Sequence, residues 1–205
     1  MKLITSYLND QLACPSGMAG QLLVKRMGKD PAVAARAEWA VDLLDLSDED
    51  QVLEIGFGIG SALELMAQQI PLGSLVGIDH SSLMVKCASG RLNGYKEEFP
   101  LALITASIED PPKLEQKFSR VLVINSMMYW PDKEKCLRII RSMMLPDSKL
   151  LMVYQPTEPN STEEATRRTG RGMSKLLELT GFQEVRTEIN LEIAPVPAVA
   201  VSGYS

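Results

Sequence analysis

The sequence predicts an α/β fold: one mostly parallel sheet of seven strands, helices on both faces, and a C-terminal antiparallel hairpin. Three observations predict it. From Gln51 onward, short apolar runs alternate with amphipathic helical ones, the pattern of strand–helix–strand units around a parallel sheet. The apolar run Val52-Leu53-Glu54-Ile55 leads straight into alternating glycines, Gly56, Gly58 and Gly60, and then into a helix. The chain closes on two strand-like runs, Val185 to Ile193 and Val196 to Tyr204, joined through Ala194-Pro195 closely enough to pair with each other. A chain of 205 residues buries one sizeable core, so 1–205 reads as a single domain. Within it, 1–46 is a helical cap or lid segment and 47–205 is the core.

The elements follow in order. Asp30-Pro31 is an N-cap with proline at the first helical position, and Ala32 to Leu46 carries Trp39, Leu43 and Leu46 as an apolar stripe. The first strand is Gln51 to Ile55, and the helix after the glycines runs to about Gln69. The second strand, from Leu75, ends at Asp79; Ser81 or Ser82 caps the next helix, which stops at Asn93-Gly94 on a left-handed glycine. Leu101 to Ile104 and Ser119 to Ile124 are the third and fourth strands. Pro131 opens a helix with Leu137, Ile140 and Met144 on one face. Pro146-Asp147 makes a turn before a fifth strand, Lys149 to Tyr154. After a polar loop at Glu158-Pro159-Asn160, Ser161 or Thr162 caps a helix that Gly181 ends.

Composition excludes several classes. A net charge of −5 argues against a protein that works by neutralising phosphates, and the local cluster Arg167, Arg168 and Arg171 fits a solvated helix face. No apolar run reaches the roughly 18–20 residues needed to span a bilayer. The first residues meet Asn9-Asp10-Gln11 too soon for a signal peptide, and the three cysteines, Cys14, Cys87 and Cys136, are scattered. Both facts point to the cytoplasm. With one histidine in the chain, no metal site is expected. The expected partner is a small molecule, with no nucleic acid and no membrane span; the assembly state is open, a homodimer being one option.

The chemistry should sit where the first two strands end. Glycine lets the backbone turn sharply and lets a ligand come close, while the following helix offers amide N–H groups and its positive end to an anion. The Asp79 carboxylate can accept both hydroxyls of a ribose, at about 1.5–3 kcal/mol for each hydrogen bond to a charged group. A dinucleotide site prefers Gly-x-Gly-x-x-Gly, which would put glycine at position 61, where this chain has Ser61. Glu54, two residues before the first glycine, would face a pyrophosphate poorly and an ammonium well. S-adenosylmethionine has an ammonium, a carboxylate and no phosphate, so the acid favours that cofactor over a dinucleotide.

Glu54-x-Gly56-x-Gly58-x-Gly60 followed by Gly77-Ile78-Asp79 resembles the first two motifs of class I S-adenosylmethionine-dependent methyltransferases. The likeness continues through Ala106-Ser107-Ile108-Glu109, through Val123-Ile124-Asn125-Ser126-Met127-Met128-Tyr129-Trp130-Pro131-Asp132, and through Leu176 to Phe182. With Pro15-Ser16-Gly17 near the start, the chain is most similar to small bacterial enzymes of the ubiquinone/menaquinone type. The resemblance implies a Rossmann-like domain in which Glu54 meets the methionine amino group and Gly56, Gly58 and Gly60 form the floor beneath the cofactor. It implies that Asp79 binds the ribose with His80 beside the adenosine, that Ser107 and Ile108 lie at the adenine edge, and that Asn125 lies near the reacting methyl. Ser107 stands where many relatives carry Asp, and Pro146-Asp147-Ser148 where they carry Pro-Gly-Gly. Asn125-Ser126-Met127-Met128 replaces the Asn/Asp-Pro-Pro-aromatic signature of nucleic-acid amine methylation.

Met127, Tyr129 and Trp130, at a strand's carboxyl end, are the candidates for the acceptor pocket. Tyr129 and His80 are the catalytic candidates, although a packing or adenosine contact accounts for His80 better than base catalysis does. The implied reaction is in-line transfer of a methyl group to a small acceptor, giving S-adenosylhomocysteine, by orientation and without a dedicated strong base. Two other readings stand beside it: a protein that binds S-adenosylmethionine without transferring methyl, as a sensor, partner subunit or cyclase, and a nicotinamide-dependent oxidoreductase.

Overall fold

The structure, a computed structural model, describes residues 11, 13–95, 99–157 and 161–205. The strands are β1 (Gln51–Ile55), β2 (Ser74–Asp79), β3 (Leu101–Thr105), β4 (Phe118–Ile124), β5 (Met144–Tyr154), β6 (Gln183–Asn190) and β7 (Ala198–Tyr204). The helices are α1 (Gly17–Met27), α2 (Pro31–Leu44), α3 (Ser61–Gln69), α4 (Ser82–Arg91), α5 (Lys133–Ser142) and α6 (Glu163–Leu179), with a 3₁₀ turn at Met127–Tyr129.

All seven strands form one sheet in the order β3-β2-β1-β4-β5-β7-β6. The first five run parallel; β7 lies antiparallel to both β5 and β6. Central strands are buried along nearly their whole length because helices cover both faces, whereas the edge strands β3 and β6 are half-exposed. Side chains alternate across a strand, so the sheet divides the core in two. Leu53, Ile55, Val121 and Val123 pack against α5 and α6. Val52, Leu75, Leu122 and Leu151 pack on the other face, against α2, α3 and α4. Glu54 shares the parity of Val52, and Asp79 that of Leu75, whose register partner is Val52. Both acids therefore emerge on the α2–α3–α4 side at the carboxyl end of the sheet, where open α/β folds bind ligands.

Several boundaries differ from the sequence expectation for identifiable reasons. In α2 the face toward the core is Ala37, Ala40, Val41 and Leu44; Trp39, Leu43 and Leu46 pack half-buried at its flank. Small alanines let this helix approach the sheet closely, which a search for large apolar residues overlooks. The α4 helix ends at Arg91 with Leu92 as its cap at φ −92°, so Gly94 is not a left-handed stop. Asp132, whose side chain accepts from Lys135 N–H at 2.9 Å, caps α5, which starts two residues after Pro131. The turn expected at Pro146-Asp147 is an irregularity inside β5: the ladder pairs Phe118 with Met144, shifts, and resumes at Arg120 with Lys149, with Asp147 at φ 57°.

The closing hairpin is present with a longer loop than expected. Asn190 Oδ1 accepts from the N–H groups of Glu192 and Ile193 (2.9 and 3.3 Å), which turns the chain out of β6. Pro195 and Pro197 cannot donate to a ladder, so β7 starts only at Ala198. The polar loop at Glu158-Pro159-Asn160 and the first ten residues lie outside the described residues. Among the described residues, no helix is long and apolar enough to cross a membrane, and no group of three His, Cys, Asp or Glu side chains could hold a metal.

Candidate cofactor site

The glycine-rich turn is held together by its own amides. Gly56 N–H donates to Ile78 C=O (2.7 Å), Gly58 N–H to Asp79 Oδ2 (2.9 Å) and Gly60 N–H to Phe57 C=O (3.0 Å). The glycine N–H groups are thus engaged within the protein. Free donors come one residue later: α3 has no side-chain N-cap bond, and the first N–H groups of a helix lack intrahelical partners. Two glycines answer to close approach as well as to positive φ. A Cβ on Gly56 (φ 71°) would stand 2.2 Å from Ser126 Cβ, and one on Gly60 (φ 79°) 2.8 Å from Ala88 Cβ.

Two buried carboxyls stand behind the turn. Asp79 is fixed from both oxygens, with Oδ1 accepting from Ser81 N–H (2.9 Å) and Oδ2 from Gly58 N–H. Burial raises its pKa; those two N–H donors and the charge of His80 act in the opposite direction. Ser81, not Asp79, caps α4, accepting from Met84 N–H at 3.3 Å. Glu54 is 1% exposed and its Oε2 has no hydrogen-bond partner. Burial first, then the Asp79 carboxylate, push the Glu54 carboxyl well above the usual range. A buried carboxyl without a partner is costly, and beside an open cavity it marks a place where something else binds.

That something has room. A cavity of about 910 Å³ opens above the carboxyl ends of the strands. It is lined by Glu54, Gly56, Gly58, Asp79, His80, Ser107, Ile108, Asn125, Tyr129 and Trp130 among the residues singled out from sequence. Gly60 and Met127 are not brought to it. Gly60 serves the packing of α3 against Ala88 of α4, and Met127 is 5% exposed within the core on the α5–α6 face. Asn125, at φ 53°, is tied at both ends of its amide: Nδ2 donates to Gln155 C=O (3.0 Å) and Oδ1 accepts from Gln155 N–H (2.8 Å). Its side chain staples the ends of β4 and β5. Ser107 Oγ accepts from Glu109 N–H at 3.2 Å. His80 is exposed at the rim, while Ile108 is buried.

Residues 52–147 match the methyltransferase domain family. The chain is 29% identical to the uncharacterized methyltransferase YdaC of Bacillus subtilis over 148 residues, 72% of this chain and 80% of that protein. It is similar to a crystal structure of an S-adenosylmethionine-dependent methyltransferase from Aquifex aeolicus, with a TM-score of 0.69 and 16% identity across 88% of this chain and 97% of that one. The chain is thus similar in sequence and in fold to S-adenosylmethionine-dependent methyltransferases. The demethylmenaquinone methyltransferase of Lactobacillus johnsonii is 26% identical over 113 residues, 54% of this chain and 46% of that protein.

The cavity also has walls beyond the site residues singled out from sequence. From α1 come Ala19, Leu22, Leu23, Arg26 and Met27, so this helix covers the site. It is anchored by Ser81 Oγ donating to Pro15 C=O (2.9 Å) and by Gly20, which packs against Leu83 with no space for a Cβ. Phe57 lies over Gly77, where a Cβ would meet its ring at 2.6 Å. Arg36 of α2 and Gln155 just past β5 complete the far wall. The glycine spacing signals the floor and the leading helical segment a cover, but nothing local marks Arg36, which reaches the cavity only through tertiary packing.

Proposed function

We propose that this protein is a methyltransferase that moves the methyl group of S-adenosylmethionine to a small organic acceptor held in the same cavity. The observation that carries the reading is the buried, unpartnered Glu54 carboxyl at the edge of a cavity large enough for a nucleoside and a second small molecule. Glu54 takes the amino group of the methionine part, and the first N–H groups of α3, at Ser61 and Ala62, take its carboxylate. Asp79 keeps lone pairs free for the ribose hydroxyls after accepting its two backbone bonds. Ile108 and Ser107 border the adenine.

The cofactor supplies an activated methyl on a sulfonium, and the protein's task is to orient the acceptor and exclude water, which is worth about 7–11 kcal/mol in favourable cases. The acceptor lies under α1, against Tyr129, Trp130 and Gln155. The unpaired thiols Cys14, Cys87 and Cys136 accord with work in a reducing compartment.

No strong base is required. His80 is exposed at the adenosine end, so His80→Ala is expected to keep kcat within about tenfold of the parent, below the roughly 10²–10⁴-fold expected on losing a general base. A pH–rate profile that loses a near-neutral limb in His80→Ala would contradict this.

The whole reading is tested by incubating the protein with labelled S-adenosylmethionine and a library of small acceptors. Formation of S-adenosylhomocysteine that depends on an acceptor supports it. Binding without turnover would favour a sensor or partner subunit, and thermal stabilisation by NAD alone would favour an oxidoreductase.

A further inference from the structure

Arg36 is a cation of the cavity wall with a buried guanidinium nitrogen that no protein group satisfies. Its Nη1 donates to Gln155 Oε1, and Nε is buried without a partner. None of the ion pairs among the described residues includes Arg36. The charge of Asp30 acts on it, but that carboxylate is exposed and occupied in capping α2 through Ala32 N–H at 2.9 Å. A guanidinium carries five N–H donors in a fixed fork, and Gln155 uses one of them.

The fork is held rigidly. Gln155 is 2% exposed, and its Nε2 donates to Val196 C=O (2.8 Å) and Ala194 C=O (3.3 Å). Its backbone is clamped on both sides by the Asn125 amide. The oxygen turned to Arg36 is therefore fixed by four hydrogen bonds joining β4, β5 and the β6–β7 loop. A charge kept in a half-buried wall at this cost is of use only if an anion meets it. A planar fork with free donors suits the two oxygens of a carboxylate.

The position separates this site from the cofactor's. Glu54 and Asp79 stand at the ends of β1 and β2, and Ser107 and Ile108 follow β3, all on one half of the sheet. Gln155 follows β5, two strands from β1 on the other side, or about 10 Å at the usual strand spacing. The cofactor's own carboxylate is provided for by the start of α3. The same cavity is lined by the apolar Leu23, Met27, Val33, Trp130 and Pro195.

We propose that Arg36 is a specificity residue that binds a carboxylate of the methyl acceptor, and that the acceptor is a small molecule with an apolar body and a carboxylate at one end. This rests on the methyl-transfer reading above. Gln155 and Asn125 are positioning residues that aim the fork.

The test uses the full chain saturated with S-adenosylhomocysteine, titrated calorimetrically with benzoate, hexanoate and succinate and with the corresponding amides. At least one carboxylate is expected to bind about tenfold or more tightly than its amide, the preference one charge-assisted pair gives. Arg36→Gln is expected to abolish that preference, and Arg36→Lys to keep part of it, while affinity for S-adenosylhomocysteine changes by no more than about twofold. Equal binding of acids and amides by the parent, or no binding of any acid, overturns the proposal whether or not the variants fold. A loss of about tenfold or more in S-adenosylhomocysteine affinity in Arg36→Gln also overturns it, because the fork would then hold the cofactor's own carboxylate. If the parent does not bind S-adenosylhomocysteine at all, the methyl-transfer reading falls, and this inference with it.

Discussion

Gly56→Ala is expected to lower the melting temperature of the ligand-free protein by about 5–20 °C. Two costs add. An L-residue at φ 71° sits in the left-handed region, at about 1–2 kcal/mol. The new Cβ would also lie 2.2 Å from Ser126 Cβ, and Ser126 cannot step aside without breaking its Oγ bond to Ile55 C=O (2.8 Å). Overpacking of that kind costs about 1–3 kcal/mol. The total of about 2–5 kcal/mol converts at roughly 2–4 °C per kcal/mol for a chain of this size. Gly90→Ala is the control: it lies within α4 with nothing within 4 Å of the added Cβ, so it should leave the melting temperature unchanged or raise it. A Gly56→Ala protein melting within about 2 °C of the parent would contradict the packing described for the turn.

Glu54→Gln is expected to separate stability from binding. The affinity for S-adenosylhomocysteine, read by calorimetry, should fall by about tenfold to 150-fold, the worth of one hydrogen-bonded charge pair. The ligand-free variant should at the same time melt higher than the parent near neutral pH. The sign follows from linkage. Because the Glu54 carboxyl is raised in the folded chain, the folded state holds this proton more tightly than the unfolded state does. Its contribution to stability is complete below the ordinary glutamate value and is lost as pH rises toward the raised one. Asp79 is displaced in the same direction, so the parent's stability declines across this window for two reasons, and Glu54→Gln removes the one with the larger displacement. A variant that binds as tightly as the parent, or melts lower at neutral pH while binding weakly, would count against Glu54 as a ligand-binding acid.

How much of this was legible in the sequence depended on whether the cause was local. The strand-to-glycine turn, Glu54 two residues before it and Asp79 at the end of the next strand are consequences of strand alternation and turn chemistry, and the structure places all of them on one cavity. The individual reasons were not legible. Gly56 yields to Ser126 from 70 residues away and Gly60 to Ala88, so the three glycines share a spacing without sharing a role. The family resemblance puts Asn125 near the reacting methyl; Asn125 lines the cavity, and its amide is committed to Gln155, a partner that only the pairing of β4 with β5 brings close. Met127 and Trp130 look alike as apolar residues after a strand; both are buried in the core on the α5–α6 face, and of the two Trp130 also lines the cavity. Arg36 was silent because a lone arginine in an amphipathic helix looks solvated until the opposite wall is known.

The central claim is that the buried, partnerless carboxyl of Glu54 receives the ammonium of the cofactor. An arriving positive charge must pull that carboxyl back toward ionisation, so binding and proton release are coupled. Calorimetric titration with S-adenosylhomocysteine at mildly acidic pH, in two buffers of different ionisation enthalpy, measures the coupling directly. The account predicts buffer-dependent heats that report net proton release in the parent and little or none in Glu54→Gln. Heats independent of buffer in the parent, or an undiminished release in the variant, would contradict it.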